Sequence, residues 1–457
     1  REILARFDGG RVTSDGGGML LREVDRRFSI IDRLAGCFRD YRDPELVDHS
    51  LVDLLRQRVF GLCLGYEDLN DHDSLRHDPM LAAMVGKADP LGDDRPGRDR
   101  GKPLAGKSTL NRLELTPVRA SEADRYKKIA ADIHALQDLL MDVYLDQQAD
   151  APKEIVLDVD ATDDPLHGDQ LGRFFHGYYS NYCFLPLYIF CGDHPLLALL
   201  RPSNLDAPTG LLKHLERIVG RLRAAWPDVP IILRGDSGFC REHVLAWCEN
   251  NGIDFIVGMA QNQRLLRAIG KQSQQAKEQF ASTGQAARVF TDLEYRTQKS
   301  WSRGRRVVAK AEHLAKGANP RFVVTSLTAD ECDARTLYET RYCARGEMEN
   351  RIKEQQLCLF ADRTSCKTMR ANQLRLMLST VAYVILRALR EHGLRDTPMA
   401  CARADTIRLK LLKIGAVVRV SVRKVWVSLS QSYPWQETFA QVWRNLTAWR
   451  RPALSSA

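Results

Sequence analysis

Two kinds of hydrophobic pattern divide the chain. Up to about residue 150, apolar side chains recur every three to four positions in Met19–Ile31, Leu51–Leu64 and Ser121–Tyr144, the spacing of helices with one buried face. A polar stretch rich in Gly, Pro, Asp and Arg, Gly86–Lys107, precedes the third of these segments and predicts an exposed loop. We therefore predict a helical N-terminal domain over residues 1–150.

From about residue 152 the pattern changes to short, continuous apolar runs bounded by turn residues, which are typical of buried strands. Three hairpin-like strands come first, and then helix and strand alternate, an order that indicates an α/β fold. The predicted strands are Ile155–Thr162, Tyr182–Cys191, Pro195–Leu200, Ile231–Asp236 and Asp254–Met259, and the predicted helices are Gly210–Ala225 and Arg241–Asn250. This region, 151–261, is the first part of the predicted core.

The second half of the chain is more mixed. After a glutamine-rich helix and a basic run comes the predicted strand Arg321–Leu327, and a helix is predicted from about Ala334. An apolar helix follows at 374–392, and strict alternation at 417–430 predicts a β-hairpin before a final helix. We divide this half into an insertion at 262–332, the second part of the core at 333–372, and a C-terminal α+β region at 373–457, which is a candidate for dimerisation and DNA binding.

Composition excludes several classes of protein. An apolar fraction of 44% is that of a globular protein, and no apolar run reaches the roughly 20 residues that span a bilayer. The most apolar stretch, 374–389, is interrupted by arginines and predicts a core helix. The 11 cysteines are scattered without a C-x-x-C pair, which argues against structural zinc and a disulfide framework and favours the reducing cytoplasm.

One motif is misleading. Gly101–Ser108 (GKPLAGKS) matches the phosphate-loop pattern of nucleotide-binding proteins letter for letter. A working phosphate loop follows a buried strand, so that its amides converge on the phosphates at the start of a helix. The preceding residues, GDDRPGRDR, cannot form a buried strand. We therefore predict no nucleotide site, and expect Lys107 and Arg112 to begin a helix, where they are candidates for contact with DNA phosphates.

Acidic residues stand where the predicted elements end. IVLDVDAT (155–162) and IILRGD (231–236) are apolar runs that each deliver an aspartate to a strand end, and Glu349 lies one helical turn beyond Arg345. Carboxylates from two strands and one helix can form a cage for a hard divalent cation such as Mg²⁺. Within a chain of net charge +9, such a cage suggests metal-assisted chemistry on DNA.

Several motifs together resemble one family. They are RFDGGRVTSDGG, GYEDLNDHDSLRHDP, LDVDATDDPLHG, FFHGYY, RGDSGF, and YCARGEMENRIKEQQ with FADRTS, which span roughly residues 6–380. In these the chain resembles the DDE transposases of bacterial insertion sequences, in particular insertion-sequence family 1380. The resemblance implies a ribonuclease-H-like catalytic core with a β-rich insertion before the helix that carries the glutamate.

The resemblance also implies the roles of the acidic residues. Asp160, Asp236 and Glu349 would be the catalytic residues and the ligands of two Mg²⁺ ions, with Mn²⁺ able to substitute. Asp160 matches the family's Asp-x-Ser/Thr pattern because it stands two residues before Thr162. Asp158 lies on the same strand face and remains the alternative ligand. The implied reaction is metal-dependent phosphoryl transfer on DNA.

The glutamate segment can be examined as a helix. At 100° per residue, Tyr342, Arg345, Glu349 and position 356 fall on one face, whereas Glu347 points away. The family's Tyr-Arg-Glu-Lys signature has this spacing, but here the last position is Gln356. Lys353 lies on the same face and is our candidate for the missing cation, and Tyr342 and Arg345 are predicted to hold DNA phosphates.

A basic run lies in the predicted insertion. Residues 296–310 contain six basic side chains and no acidic one. A solvated face is the ordinary interpretation of such a run, but Trp301 stands among the arginines, which favours a phosphate backbone and an unstacked base as ligands. We predict DNA contacts at Trp301, Arg303, Arg305 and Arg306, with Trp301 stacked on a base near the cut.

Taken together, the sequence predicts a DNA transposase that cuts at terminal inverted repeats and joins the freed end to target DNA. We expect DNA as its partner, a homodimer on DNA, no membrane and no nucleotide, and action in the bacterial cytoplasm near the nucleoid. The N-terminal domain is either a reader of the element's ends or a helical cap on the core. Two alternatives for the whole chain are a structure-specific nuclease without strand transfer and a domesticated, non-catalytic DNA-binding protein.

Overall fold

The computed structural model describes residues 1–148 and 150–448 of this mixed α/β chain. Its α-helices are α1 Met19–Phe28, α2 Ile30–Ala35, α3 Leu51–Leu64, α4 His72–Leu75, α5 Pro79–Val85, α6 Lys107–Glu114, α7 Ile133–Gln147, α8 Leu211–Ala225, α9 Glu242–Asn250, α10 Gln263–Ala268, α11 Gly270–Thr283, α12 Ala334–Thr336, α13 Gly346–Leu359, α14 Met369–Ala388, α15 Ala404–Ile407 and α16 Gln436–Ala448. Its strands are β1 Val12–Thr13, β2 Phe38–Asp40, β3 Ile129–Ala131, β4 Ile155–Ala161, β5 Asp164–Pro165, β6 Phe174–His176, β7 Asn181–Phe184, β8 Leu187–Cys191, β9 His194–Leu199, β10 Ile231–Gly235, β11 Asp254–Met259, β12 Ala287–Tyr295, β13 Arg305–Leu314, β14 Gly317–Ala318, β15 Arg321–Thr325, β16 Ala416–Val420 and β17 Val425–Leu429.

The described residues cluster into two compact units. One contains residues 1–143, 165–173 and 352–448, and the other contains 144–164 and 174–351. The candidate site belongs wholly to the second unit. The five domains drawn from the sequence follow different boundaries and stay a prediction.

A large mixed sheet organises the second unit. Its strands lie in the order β9-β8-β4-β10-β11-β15-β13-β12, and β14 pairs with β13. The three central strands β4, β10 and β11 are parallel, whereas β8, β9 and β15 run antiparallel to their neighbours. The apolar runs of the central strands are buried, as expected for strands covered on both faces. This confirms the predicted order of hairpin-like strands followed by alternating helix and strand.

The predicted insertion continues the same sheet. β15 pairs with β11, β13 pairs with β15, and β12 forms the far edge. The strand Arg321–Thr325 lies where the sequence predicted Arg321–Leu327. The ladder between β12 and β13 runs over nine residue pairs, from Ala287↔His313 to Tyr295↔Arg305. The basic run therefore lies on and beside a paired strand.

Three predicted elements were wrong in extent. The strand predicted over Tyr182–Cys191 is two strands, β7 and β8, which belong to different sheets; Pro186 lies in the gap, where a residue without an N–H cannot continue a ladder. The helix predicted over Ser121–Tyr144 begins only at Ile133. The segment Met19–Ile31 is two helices, because Ser29 adopts a left-handed conformation with φ of 51° that ends α1.

In the first unit, the apolar helix α14 is buried along nearly its whole length. The Sγ of Cys63 on α3 donates a hydrogen bond to the carbonyl of Ala382 on α14, at 3.5 Å. This confirms that the stretch at 374–389 is a core helix. Within the described part of the chain, no helix combines the length and the apolar character needed to cross a bilayer.

The glycines of the N-terminal motif RFDGGRVTSDGG have a structural role. Strand β1 pairs with β16, so that the start of the chain adds a strand to the C-terminal hairpin β16–β17. A Cβ on Gly17 would stand 1.7 Å from the carbonyl oxygen of Leu411, and one on Gly18 would stand 2.4 Å from the sulfur of Met84. At Gly17, where the contact is with backbone, only glycine permits so close an approach. The hairpin predicted at 417–430 is confirmed.

The phosphate-loop pattern has no strand before it. Residues 100–106 are irregular, a 3₁₀ turn at Gly97–Asp99 precedes them, and Lys107 begins α6. Lys107 pairs with Asp73, at 3.2 Å between Nζ and Oδ2. The geometry that a nucleotide phosphate needs at this motif is therefore missing from this segment.

Candidate active site

The two aspartates lie on neighbouring parallel strands. In the β4–β10 ladder, Asp158 pairs with Arg234 and Val159 with Gly235, so Asp236, the next residue, lies beside Asp160. Neighbouring strands stand about 4.8 Å apart, and residues in register point to the same face. The two carboxylates are therefore brought to one edge of the sheet, where β10 ends and β4 is one residue from its end.

Asp236 is held by the turn that follows it. Its carboxylate accepts a hydrogen bond from the backbone N–H of Gly238 at 2.8 Å, which caps the 3₁₀ turn Ser237–Phe239. A strand-terminal aspartate is often only such a cap. Here the cap uses one carboxylate oxygen, Oδ1, and fixes the orientation of the group at the sheet edge.

A glycine on the third parallel strand makes room for this edge. A Cβ on Gly258 would lie 2.4 Å from the hydroxyl of Tyr342 and 3.0 Å from the backbone nitrogen of Ser237. Any larger residue would push the tyrosine or the Asp236 turn away. Sequence reasoning missed this position, although an isolated glycine within a strand often marks a close approach.

The glutamate segment is less regular than the sequence predicted. After α12 the backbone makes a π-helical turn at Leu337–Tyr342 and a 3₁₀ turn at Cys343–Arg345, and only then does α13 begin. The assumption of 100° per residue from Tyr342 to Arg345 was therefore wrong. Leu337 and Tyr338 are buried against the sheet in one cluster with Ile232, Ile256, Val308 and Val323, which fixes the approach of the segment.

Arg345 links the acidic residues. Its Nη1 lies 2.5 Å from Oε1 of Glu349 and 4.0 Å from Oδ1 of Asp160. Oε1 of Glu349 and Oδ1 of Asp160 can therefore be no farther apart than the sum of these two distances. The guanidinium also lies over the ring of Tyr342, at 5.8 Å from its centroid. The structure thus brings Asp160, Asp236, Glu349, Arg345 and Tyr342 to the same place.

Charge is crowded at this edge. Burial, and then the neighbouring carboxylates of Asp236 and Glu349, raise the pKa of Asp160 from 3.8 to about 7, although Arg345 opposes the shift. Burial and the charge of Asp236 likewise raise the pKa of the Tyr342 hydroxyl. At neutral pH, Asp160 accordingly holds a proton for part of the time.

Asp158 has a partner of its own. Its two oxygens accept hydrogen bonds from Arg234 at 2.5 and 2.8 Å in a buried, bidentate pair, and Arg234 also donates to the carbonyl of Arg341. Such a pair ties β4 to β10 and to the glutamate segment. The pairing favours Asp160 as the free ligand, although the choice between the two stays a prediction.

The carboxylates of Asp160, Asp236 and Glu349 have the right chemistry for Mg²⁺, but their oxygens do not lie close enough together to bind the same ion. Three carboxylates are the oxygen ligands that a hard cation prefers. Across residues 1–148 and 150–448, however, no three Asp, Glu, His or Cys side chains stand close enough to hold one metal ion. The cation that now balances Glu349 and Asp160 is the guanidinium of Arg345.

The predicted DNA contacts of the basic run divide into two groups. The side chain of Arg305 is 2% exposed and pairs with Glu242 and Glu249, both at 2.7 Å. Trp301 is 5% exposed, packed edge-on against Tyr295 and under Arg305. Both side chains are buried within the protein, so the base contact of Trp301 and the phosphate contact of Arg305 stay predictions that would require these packed side chains to move outward.

The other two arginines differ from each other. Arg306 pairs with Asp292 at 2.7 Å and donates to the carbonyls of Leu327, Thr328 and Cys332, so its capacity is largely used within the protein. Arg303 is mostly exposed and only 3.5 Å from Glu249. The predicted contact with DNA stays a prediction for both arginines, and Arg303 is the more exposed of the two. Lys353 is exposed and Gln356 half-buried, and their roles also stay predictions.

A basic cleft in the first unit was missed. It has a volume of about 810 Å³ and includes the half-exposed Tyr126. The guanidinium groups of Arg112 and Arg125 both lie over this ring, at 5.3 and 5.2 Å from its centroid. The other basic lining residues include Arg76, Arg98, Lys102 and Lys128, and four aspartates, Asp43, Asp48, Asp73 and Asp99, also line the cleft. The available signal was Arg125–Lys128 (RYKK), which we had placed inside a helix.

Comparison with known proteins can be set against this geometry. A family model described as "Transposase DDE domain group 1" matches residues 1–451. The chain belongs to the DDE transposase family. The predicted resemblance to DDE transposases is confirmed at the level of this family. The matched residues include both compact units.

Other comparisons add less. No curated protein matches the sequence. A cryo-EM structure of the piggyBac transposase synaptic complex with hairpin DNA matches over 86% of this chain and 80% of that chain, with 11% sequence identity and a TM-score of 0.40. A TM-score of this size does not establish a shared fold, so the chemistry of this transposase-family member rests on its own residues.

Proposed function

We propose that the chain is the transposase of a bacterial insertion sequence, of the kind grouped as insertion-sequence family 1380. It would cut DNA at terminal inverted repeats and join the freed 3′ end to target DNA, using Mg²⁺ or Mn²⁺. The observation that carries this proposal is that Asp160 and Asp236 lie side by side on neighbouring strands while Arg345 links Asp160 to Glu349, in a member of the DDE transposase family. Action would take place on DNA in the cytoplasm.

The strand order supports a ribonuclease-H-like core. Three antiparallel strands, β9, β8 and β4, are followed by β10 and β11 parallel to β4. In this arrangement the carboxylates come from the first strand, from the end of the next parallel strand, and from a later helix. The strands β12 to β15 would then be the β-rich insertion that lies before the glutamate helix.

Asp160, Asp236 and Glu349 would hold the two metal ions. When bound, these would supply an activated water and charge stabilisation at the leaving 3′ oxygen. The proton that Asp160 holds near neutral pH would have to leave its carboxylate, so metal affinity should rise with pH. Arg345, now balanced by Glu349, would be the group that pairs with a DNA phosphate at this edge.

DNA away from the cut would lie on basic surface. The cleft of the first unit carries Arg112, Arg125 and the ring of Tyr126 on residues that the sequence assigned to a probable end-binding domain. Clustered cations of this kind neutralise phosphates without reading sequence. Two element ends must be processed together, so a homodimer on DNA is part of the proposal.

Strand transfer separates this function from its alternatives. The protein is incubated with Mg²⁺, duplexes carrying the element's ends with free 3′-OH groups, and a target plasmid. Joined donor–target products, lost in Asp236→Ala, are expected. Cleavage without joining would indicate a structure-specific nuclease, and DNA binding that Asp236→Ala leaves intact with no cleavage by the parent chain would indicate a non-catalytic DNA-binding protein.

A further inference from the structure

The motif FFHGYY follows the first catalytic strand and forms an exposed hairpin. Strands β6 and β7 pair through Phe174↔Cys183, Phe175↔Tyr182 and His176↔Asn181. We call residues Phe174–Phe184 the aromatic hairpin. Its base is in the core, where Cys183 and Phe184 are buried, and Ser203 donates a hydrogen bond to the carbonyl of Phe174.

The outer side of the aromatic hairpin carries rings that face solvent. Tyr178 is 86% exposed, Phe175 57%, Tyr182 50% and Phe174 42%. Phe175 and Tyr182 form a cross-strand pair with ring centroids 5.6 Å apart, and Tyr178 stands edge-on to Tyr179 at 5.0 Å. A group of large exposed rings costs solubility and stability, so it usually marks a binding surface.

The aromatic hairpin is fastened to the acidic edge. The hydroxyl of Tyr179 donates to the carbonyl of Ala161, the residue after Asp160, at 3.3 Å. Asn181 donates to Asp163 at 3.2 Å. Burial, followed by the charges of Asp160, Asp163 and Asp236, raises the pKa of the Tyr179 hydroxyl.

We propose that the aromatic hairpin is a stacking platform for unpaired DNA bases next to the cut, with Tyr178 and Phe175 as its principal rings. This deepens the proposed function and rests on it. Three features select this ligand. The rings stand beside the residues that would act on the phosphate; the segment 174–184 contains no acidic side chain to repel a polyanion; and aromatic faces bind bases of any sequence.

The buried position of Trp301 strengthens the assignment. The sequence pointed to that residue as the base-stacking ring, but it is 5% exposed and packed under Arg305. The aromatic hairpin instead offers rings that a base can reach without rearrangement of the sheet. A second protein chain is the competing occupant, and it predicts a different result in the test below.

Binding in EDTA tests the proposal without catalysis. The full chain is titrated with a short blunt duplex and with the same duplex whose last few base pairs are unpaired and contain 2-aminopurine. We expect the parent chain to bind the forked duplex about tenfold more tightly, as one or two stacked bases would provide, and to quench the 2-aminopurine fluorescence. Phe175→Ala/Tyr178→Ala should bind both duplexes equally.

Matched variants keep this result interpretable. Tyr178→Phe retains the ring and should retain the preference, and Phe7→Ala removes an exposed ring elsewhere and should change nothing. Tyr178→Ala alone, at a fully accessible position, guards against misfolding of the double variant. An equal affinity of the parent chain for both duplexes, or a preference that survives the double substitution, would overturn the proposal, as would variants that lose only self-association.

The proposed function can fail separately. If the parent chain prefers forked DNA in EDTA but never joins donor to target in Mg²⁺, the transposase proposal falls while base stacking stands. If the parent chain joins donor to target, and the double variant keeps both the preference for forked DNA and the rate of joining, the stacking proposal falls while the transposase proposal stands.

Discussion

The acidic edge and the basic run are opposite in both charge and construction. The edge gathers Asp160, Asp236 and Glu349 from positions far apart in the chain, and Arg345 is the cation found between two of them. The run gathers its cations in sequence, but the fold supplies acidic partners such as Glu242 and Glu249. Local density of charge therefore says little about the charge that remains available to a ligand.

The two regions differ in whether their charged side chains have partners of opposite charge within the protein. Burial opposes the shift, yet hydrogen bonds from Arg305 and Ser302 lower the pKa of Glu242 to about 2. Burial, and then the neighbouring carboxylates, raise the pKa of Asp160 to about 7. The first is an ion pair satisfied within the protein, and the second is a carboxylate in an environment that disfavours its charge. Strongly perturbed groups of the second kind are typical of functional sites.

The largest effect should come from the acidic edge. Glu349→Gln is expected to lower DNA cleavage and joining at least about a thousandfold, because a neutral amide cannot replace a metal-binding carboxylate worth several kcal/mol. Glu347→Gln is the matched control, since it is exposed on the same helix and pairs only loosely with Arg351 at 3.5 Å. Both rates are measured on pre-formed DNA ends.

The thermal unfolding of these two variants should match that of the parent chain within a few degrees. Equal activity of Glu349→Gln and Glu347→Gln would show that the residues around Arg345 do not form the catalytic centre.

The basic run should respond in stability. Arg305→Ala leaves Glu242 and Glu249 without their buried partner, and we expect it to lower the free energy of unfolding by about 2–4 kcal/mol, as for other broken buried pairs. Arg303→Ala, at a mostly exposed position, should cost less than about 0.5 kcal/mol. Urea denaturation measures both.

DNA binding should show the reverse order. Arg303→Ala is expected to weaken binding and to reduce the slope of log affinity against log salt by about one, as for the loss of one phosphate contact. If Arg305→Ala proves harmless to stability but weakens DNA binding, the comparison between the two regions is mistaken.

Local patterns explain why some of this was predictable. The central strands were visible because parallel strands covered on both faces require continuous apolar runs such as IIL before Arg234. The meeting of Asp160 and Asp236 followed from both runs ending in an acid. Pro186 was a readable signal that Tyr182–Cys191 could not be one strand, and Gly258 was a readable signal of close packing.

Other features depend on tertiary partners and left no local signal. Arg305 pairs with Glu249 and Glu242, which lie 56 and 63 residues earlier in the chain. Nothing in the local sequence SWSRGRR indicates these partners. The π-helical turn before Arg345 arises where Leu337 and Tyr338 pack on the sheet. Strand alternation places Asp158 and Asp160 on the same face, and no local pattern shows that Arg234 holds Asp158 in a bidentate pair.

A pH-dependent effect concerns the proton on Asp160. Because its pKa in the folded protein is raised from 3.8 to about 7, the folded state binds this proton more tightly than the unfolded chain. The stability that the proton contributes is complete below about pH 4 and is lost as the pH rises through 7. Asp160→Asn carries no such proton, so in EDTA its melting temperature relative to that of the parent chain should rise by a few degrees between pH 5 and pH 8. Asp163→Asn, the same substitution three residues further along the chain, is measured beside it as the control for replacing a carboxylate by an amide. Added Mg²⁺ should stabilise the parent chain at pH 8 and narrow the gap, because only the parent retains the Asp160 carboxylate. A difference in melting temperature that stays constant between pH 5 and pH 8 would mean that the environment of Asp160 does not disfavour its charge. The acidic edge would then be as well compensated as the basic run.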